Sequence, residues 1–128
     1  MKRRITVLTV VFFALVAFVG FNLLKPGMVR AQTADECPLT PTIASLTACV
    51  EHAASEGLIN NQGVTNSLLA KLDAAQAAQD RGQIGTAINL LEAFIHEVQA
   101  QAGKHIDQTH AQHMVMHAQM VINALKNG

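Results

Sequence analysis

Between Asn66 and Ala100 the chain reads NSLLAKLDAAQAAQDRGQIGTAINLLEAFIHEVQA, and apolar side chains recur there at helical rather than strand spacing. In the first half, Leu68, Leu72, Ala75 and Gln79 follow steps of four, three and four, with Thr65 and Leu69 beside them. Lys71, Ala74, Ala77 and Ala78 fall on the other side, with Asp73 and Asp80 also outside the stripe. In the second half, Ile84, Ala87, Ile88, Leu91, Phe94, Ile95 and Val98 make a wider stripe, which predicts the most buried helix of the chain. Asp80-Arg81-Gly82 separates the halves, and glycine tolerates the left-handed backbone that a chain reversal requires. So short a corner makes the two helices antiparallel neighbours. Any fold of this chain must be built around that hairpin.

The flanking segments supply two further helices. Thr40-Pro41 is a helix-start signal, with Thr40 as N-cap and Pro41 at the first helical position. Ile43, Leu46, Val50 and Ala53 then line one face up to Gly57. Leu58 to Gly63 reads as a turn, with Asn60 and Asn61 suited to capping and Leu58 and Ile59 tucked inward. After the third helix ends at Gln101-Ala102-Gly103-Lys104, Ile106 is expected as a buried plug and Asp107 as the next N-cap. Ala111, Met114, Val115, Ala118, Val121, Ile122 and Leu125 define the core face of a final helix. The fold expected is all-α, a small antiparallel bundle of about four helices over residues 41–126.

Residues 1–31 have the form of a secretory signal peptide. Lys2, Arg3 and Arg4 precede an apolar run from Ile5 to Leu24, and Val29-Arg30-Ala31 puts small residues where a signal peptidase cuts. The alternative is an uncleaved N-terminal membrane anchor, since the run is long enough to span a bilayer. Either form exports the rest of the chain. Cleavage removes five basic side chains and leaves four, Lys71, Arg81, Lys104 and Lys126, against nine acidic ones. An acidic surface disfavours nucleic acid and anionic membranes as partners. With no Trp or Tyr, there is little aromatic surface on which sugars or bases could stack.

Residues 32–40 are expected to be an irregular lead-in that carries Cys37. In an oxidising compartment Cys37 and Cys49 are expected to pair. The eight helical steps before Cys49 cover ~12 Å, and a few extended residues can retrace that distance. Such a bridge contributes roughly 2–3 kcal/mol and staples the lead-in to the first helix. The spacing is not that of a redox-active Cys-x-x-Cys.

NSLLAKLDAAQ (Asn66–Gln76), RGQ followed by AINLL (Arg81–Leu91) and AFIHEVQA (Ala93–Ala100) resemble the FIMAH domain, over roughly Ile43 to Ala102. That module occurs mostly as a C-terminal appendage of secreted or surface bacterial and archaeal proteins. The resemblance implies a helical accessory or interaction module and carries no catalytic residues.

The final helix holds the one stretch with candidate chemistry, HAQHMVMHAQM from His110 to Met120. His110, His113 and His117 share a side, and His113 and His117 have the one-turn spacing at which two imidazoles can share a metal ion. Met116 and Met120 border them, and thioether with imidazole suits copper. The stripe lies roughly 110° from the centre of the apolar face on a helical wheel, a boundary position. Against this, no third ligand is identifiable elsewhere, and histidine and methionine also serve as boundary filler. The HxxxH pair lacks the glutamate of a metalloprotease, Met114 standing in its place. Carboxylates such as Asp73, Asp80, Glu92 and Glu97 read as solvated helix faces, and no nucleophile elbow or phosphate loop is visible. The reading is therefore an exported, non-enzymatic helical module without a cofactor, which recognises a protein partner at the cell envelope or outside the cell. The alternative is an extracytoplasmic binder of Cu, Zn or Ni using the His/Met stripe.

Overall fold

The computed structural model describes residues 37–128; the signal peptide expected over residues 1–31 and the start of the lead-in lie outside the described residues. Four helices follow in order: α1 (Ile43–Ser55), α2 (Gln62–Asp80), α3 (Ile84–Gln101) and α4 (Gln108–Asn127). Each packs on its sequence neighbour, and α4 closes the ring by packing on α1. The result is an up-down-up-down bundle, the arrangement that short connections between helices impose. Among the described residues no strand is present, and no helix is long and apolar enough to cross a membrane.

The helix boundaries show where local chemistry wins. At α1 the N-cap is Thr42, not Thr40: the Thr42 hydroxyl accepts from the Ser45 N–H at 3.2 Å. Pro41 therefore precedes the helix, and the irregular lead-in continues to Thr42. The Thr40 carbonyl is committed elsewhere, accepting from the Thr42 N–H at 2.8 Å and from side chains described below. Asn61 caps α2 by accepting from the Val64 N–H at 3.1 Å, so Gly63, expected in the turn, lies inside the helix. Asp107 caps α4 as expected, through the His110 N–H at 2.9 Å. The hairpin corner is made by Gly82 at φ +72°, and beyond it the Gln83 N–H reaches back to the Ala78 carbonyl at 2.9 Å. A residue with a Cβ is strained in that backbone region.

Leu68, Leu72, Ala75, Leu91, Phe94 and Val98 from the hairpin are fully buried, together with Leu46, Val50, Met114 and Val121 from α1 and α4. Two expectations need correction. Ala78, assigned to the outer side of α2, is buried, because the packed surface of that helix is wider than its apolar stripe. α3 is not the most buried helix: it buries four residues where each of the others buries six. Ile88 and Ile95 flank its line of contact and stay half-buried against the core.

At the end of the bundle opposite Gly82, two loops distant in sequence are joined. The Asn60 N–H donates to the His105 carbonyl at 2.9 Å and the Asp107 N–H to the Leu58 carbonyl at 2.8 Å. Ile59 and Ile106 meet there and are both buried, which makes Ile106 the plug that its apolar side chain suggested. Across the hairpin, Lys71 Nζ lies 2.5 Å from a Glu97 carboxylate oxygen that also accepts from the Ser67 hydroxyl at 2.9 Å. Glu97 is thus an inter-helix ion pair rather than a freely solvated carboxylate.

Candidate functional site

The His/Met stripe of α4 divides along the structure. His117 is fully buried, and this corrects the expectation that it stands at the surface beside His113. The lead-in and the first turn of α1 cover it. Its Nε2 lies 2.8 Å from the Thr40 carbonyl oxygen and 2.9 Å from the Ser45 hydroxyl. A carbonyl oxygen only accepts, so Nε2 carries a proton and donates it there. The single Ser45 hydroxyl proton is in turn shared between the Thr40 and Thr42 carbonyls. Nδ1 of His117 is enclosed and has no partner among the described residues. A nitrogen bound to its own proton, and a second one shut away from solvent, leave His117 unable to share an ion with His113 at the surface.

His110, on the first turn of α4, is half-buried against the disulfide. Cys37 and Cys49 are bonded, as their pairing in the sequence suggested, and hold the lead-in on α1. Cys49 is 1% exposed and Cys37 half-buried. His110 Nε2 is 4.0 Å from Cys37 Sγ. The His110 pKa is held below the ordinary histidine value, first by burial and then by the neighbouring His113; His52 adds to this, and Asp107 opposes it. The rings of His110 and His113 meet edge-on with centres 6.5 Å apart. His113 itself is exposed.

Met116 turns to the opposite margin of α4 and is 45% exposed, while Met120 is half-buried. The five residues His110, His113, His117, Met116 and Met120 therefore do not converge on one point. Among the described residues, the ligand atoms that do converge are Cys37 Sγ, Cys49 Sγ and a His110 ring nitrogen, all within 4.8 Å of one another. Sequence spacing could not find this set, because its members come from three segments. Of the other histidines, His52 on α1 is near enough to His110 to help lower its pKa, while His96 is exposed on α3 and His105 Nδ1 sits 3.0 Å from the Asn60 side-chain oxygen in the loop junction.

Along the α3 side of α4 runs a groove of about 290 Å³. Ala102, Ala111 and Val115 line it with Met116, and Gln99, Gln108, Gln112 and Gln119 complete its wall. Among the described residues no charged side chain borders it. Nothing in the sequence pattern marked these glutamines for this role.

An antiparallel helical bundle with this hairpin defines the class of small α-helical modules. The model of the FIMAH domain matches residues 43–123, and the chain belongs to that family. The match reaches further than the resemblance over Ile43–Ala102 and takes in most of α4. No curated protein and no solved structure matches the chain.

Proposed function

We propose that this chain is an exported, non-catalytic interaction module whose recognition surface is the groove between the end of α3 and α4. The observation that carries this is the combination of Met116 with an uncharged wall. Among the described residues only Leu39 and Met116 are large hydrophobic side chains left well exposed, and Met116 borders a concavity. Methionine adapts its shape to different partners, and the glutamine amides can both donate and accept hydrogen bonds. Such a groove suits an uncharged protein segment that inserts an apolar side chain and offers its backbone or amides to the rim. FIMAH membership and the disulfide support a role outside the reducing cytosol. His117 is withdrawn into the core, and the recognition face consists of Val115, Met116 and the surrounding glutamines.

The test is photo-crosslinking in the native cells, with the reactive amino acid placed at Gln112 or Gln119 and, as control, at the exposed Ala74 of α2. A discrete crosslinked species from the groove positions, lost in Met116→Glu, is expected. Equal crosslinking from Ala74, or no effect of Met116→Glu, rejects the groove. Fractionation and mass spectrometry of the mature N-terminus check export separately: an N-terminus at Gln32 in the extracytoplasmic fraction is expected.

A further inference from the structure

The disulfide and His110 together have a second capacity, distinct from partner recognition. We propose that in its dithiol state the chain binds one zinc ion through Cys37, Cys49 and His110, so that metal and disulfide are alternative ways of closing the same junction.

Three ligand atoms of the types that zinc prefers lie within 4.8 Å of one another, and Cys37 Sγ and His110 Nε2 are 4.0 Å apart. In a tetrahedral site with Zn–S near 2.3 Å and Zn–N near 2.0–2.1 Å, ligand atoms are separated by roughly 3.5–3.8 Å. The histidine is thus within about an ångström of liganding distance. The sulfurs need only part by side-chain rotation once their bond is absent. The ligands come from three separate segments: the lead-in, the buried face of α1 and the first turn of α4. A shared ion would hold those segments as the covalent bond holds the first two, and would add α4 to the closure.

Ribosomal synthesis delivers both cysteines as thiols. Zinc then displaces one proton from each thiol and takes the lone pair of the neutral His110 nitrogen, releasing two protons and leaving the fourth position to water. Starting from the disulfide, a dithiol reductant must first supply two electrons. It is itself oxidised to a disulfide while Cys37 and Cys49 each gain a proton. Zinc bound to both thiolates protects them from oxidation, and formation of the disulfide removes two of the three ligands.

The experiment uses the full chain, reduced with a phosphine under argon and titrated with Co²⁺, followed by Zn²⁺. One equivalent of Co²⁺ should produce thiolate-to-metal charge-transfer absorption with the visible bands of a tetrahedral ion, and Zn²⁺ should displace it. The oxidised chain should show neither signal. Cys49→Ser should abolish the signal, and His110→Ala should weaken binding on the order of tenfold or more while keeping both thiols. Helicity is followed by circular dichroism in the same samples. If reduction unfolds the chain, zinc should restore the helices in the wild type and not in His110→Ala. Absence of charge-transfer absorption, wild-type affinity in His110→Ala, or a reduced unfolded chain that zinc does not refold each overturns the proposal.

Discussion

The α2–α3 hairpin and the α1–α4 seam are held together in opposite ways. The hairpin joins helices that adjoin in sequence, and its interior is almost wholly apolar, with Leu68, Leu72, Ala75, Leu91, Phe94 and Val98 buried. Its polar link, Lys71–Glu97, sits at the margin, where the two side chains are 29% and 19% exposed. The seam joins segments more than seventy residues apart, and beside its apolar residues it carries buried polar contacts among His117, Ser45 and the Thr40 carbonyl, as well as the disulfide facing His110. Burial of apolar surface is non-directional and tolerates small displacements. A buried hydrogen-bond network stabilises only when its geometry is met, and it therefore specifies position more sharply than it adds stability. The hairpin supplies cohesion, and the seam sets where α4 meets the lead-in and α1.

The largest expected effect breaks the hairpin side. Phe94→Ala removes the largest fully buried side chain among the described residues and should cost about 3–5 kcal/mol through lost transfer energy and the cavity left behind. Urea unfolding of the variant measures it. A loss below about 1 kcal/mol would mean that the bundle collapses around the deletion and that the hairpin core is not the main source of stability.

Breaking the seam should cost less. His117→Ala removes one of the donors to the Thr40 carbonyl and leaves Ser45 and a cavity behind, for an expected loss of about 1–3 kcal/mol. Combining it with Ser45→Ala in a double-mutant cycle sharpens the comparison. The two effects should be strongly non-additive if the network acts as a unit. Simple additivity would show that His117 stabilises by filling space alone.

The smallest effect belongs to His110. Its pKa in the folded chain lies below the unfolded value near 6.5, so near pH 6 the unfolded chain binds more protons than the folded one. Stability from this group is therefore fully present above the unfolded pKa and declines as the pH falls through it toward the folded pKa. Stability curves between pH 8 and 5 should show this decline in the wild type and a shallower one in His110→Gln. Matching curves would assign the acid sensitivity to other groups.

The same contrast explains how much could be read in advance. Helical periodicity identified the hairpin, its Gly82 corner and the buried set of Leu68, Leu72, Leu91, Phe94 and Val98, because those contacts form between adjacent helices whose own faces point at each other. The pairing of Cys37 with Cys49 was legible for a similar reason: the bridge is local, and two cysteines allow one intramolecular choice. Cap positions were legible only in part. Thr40, Thr42 and Asn60, Asn61 are chemically alike in pairs, and the choice within each pair depends on which carbonyl or amide a distant segment claims. The candidate site was the least legible. A helical wheel assigns His117 an angle at the margin of α4, but burial at a margin depends on whether another segment crosses it.

The sequence by itself determined an all-α bundle with four amphipathic helices, the order in which they turn back on one another, and the disulfide that ties the lead-in to α1. These follow from spacing, turn chemistry and local chain length, which act between near neighbours. Only the tertiary structure decided that the lead-in lies over His117 and that the two loops beside Ile59 and Ile106 share hydrogen bonds. The same is true of His110 facing both cysteines, and of Met116 bordering a glutamine-walled groove instead of completing a histidine cluster. Those outcomes depend on contacts between residues far apart in the chain, and such contacts form only when the helices close into a ring.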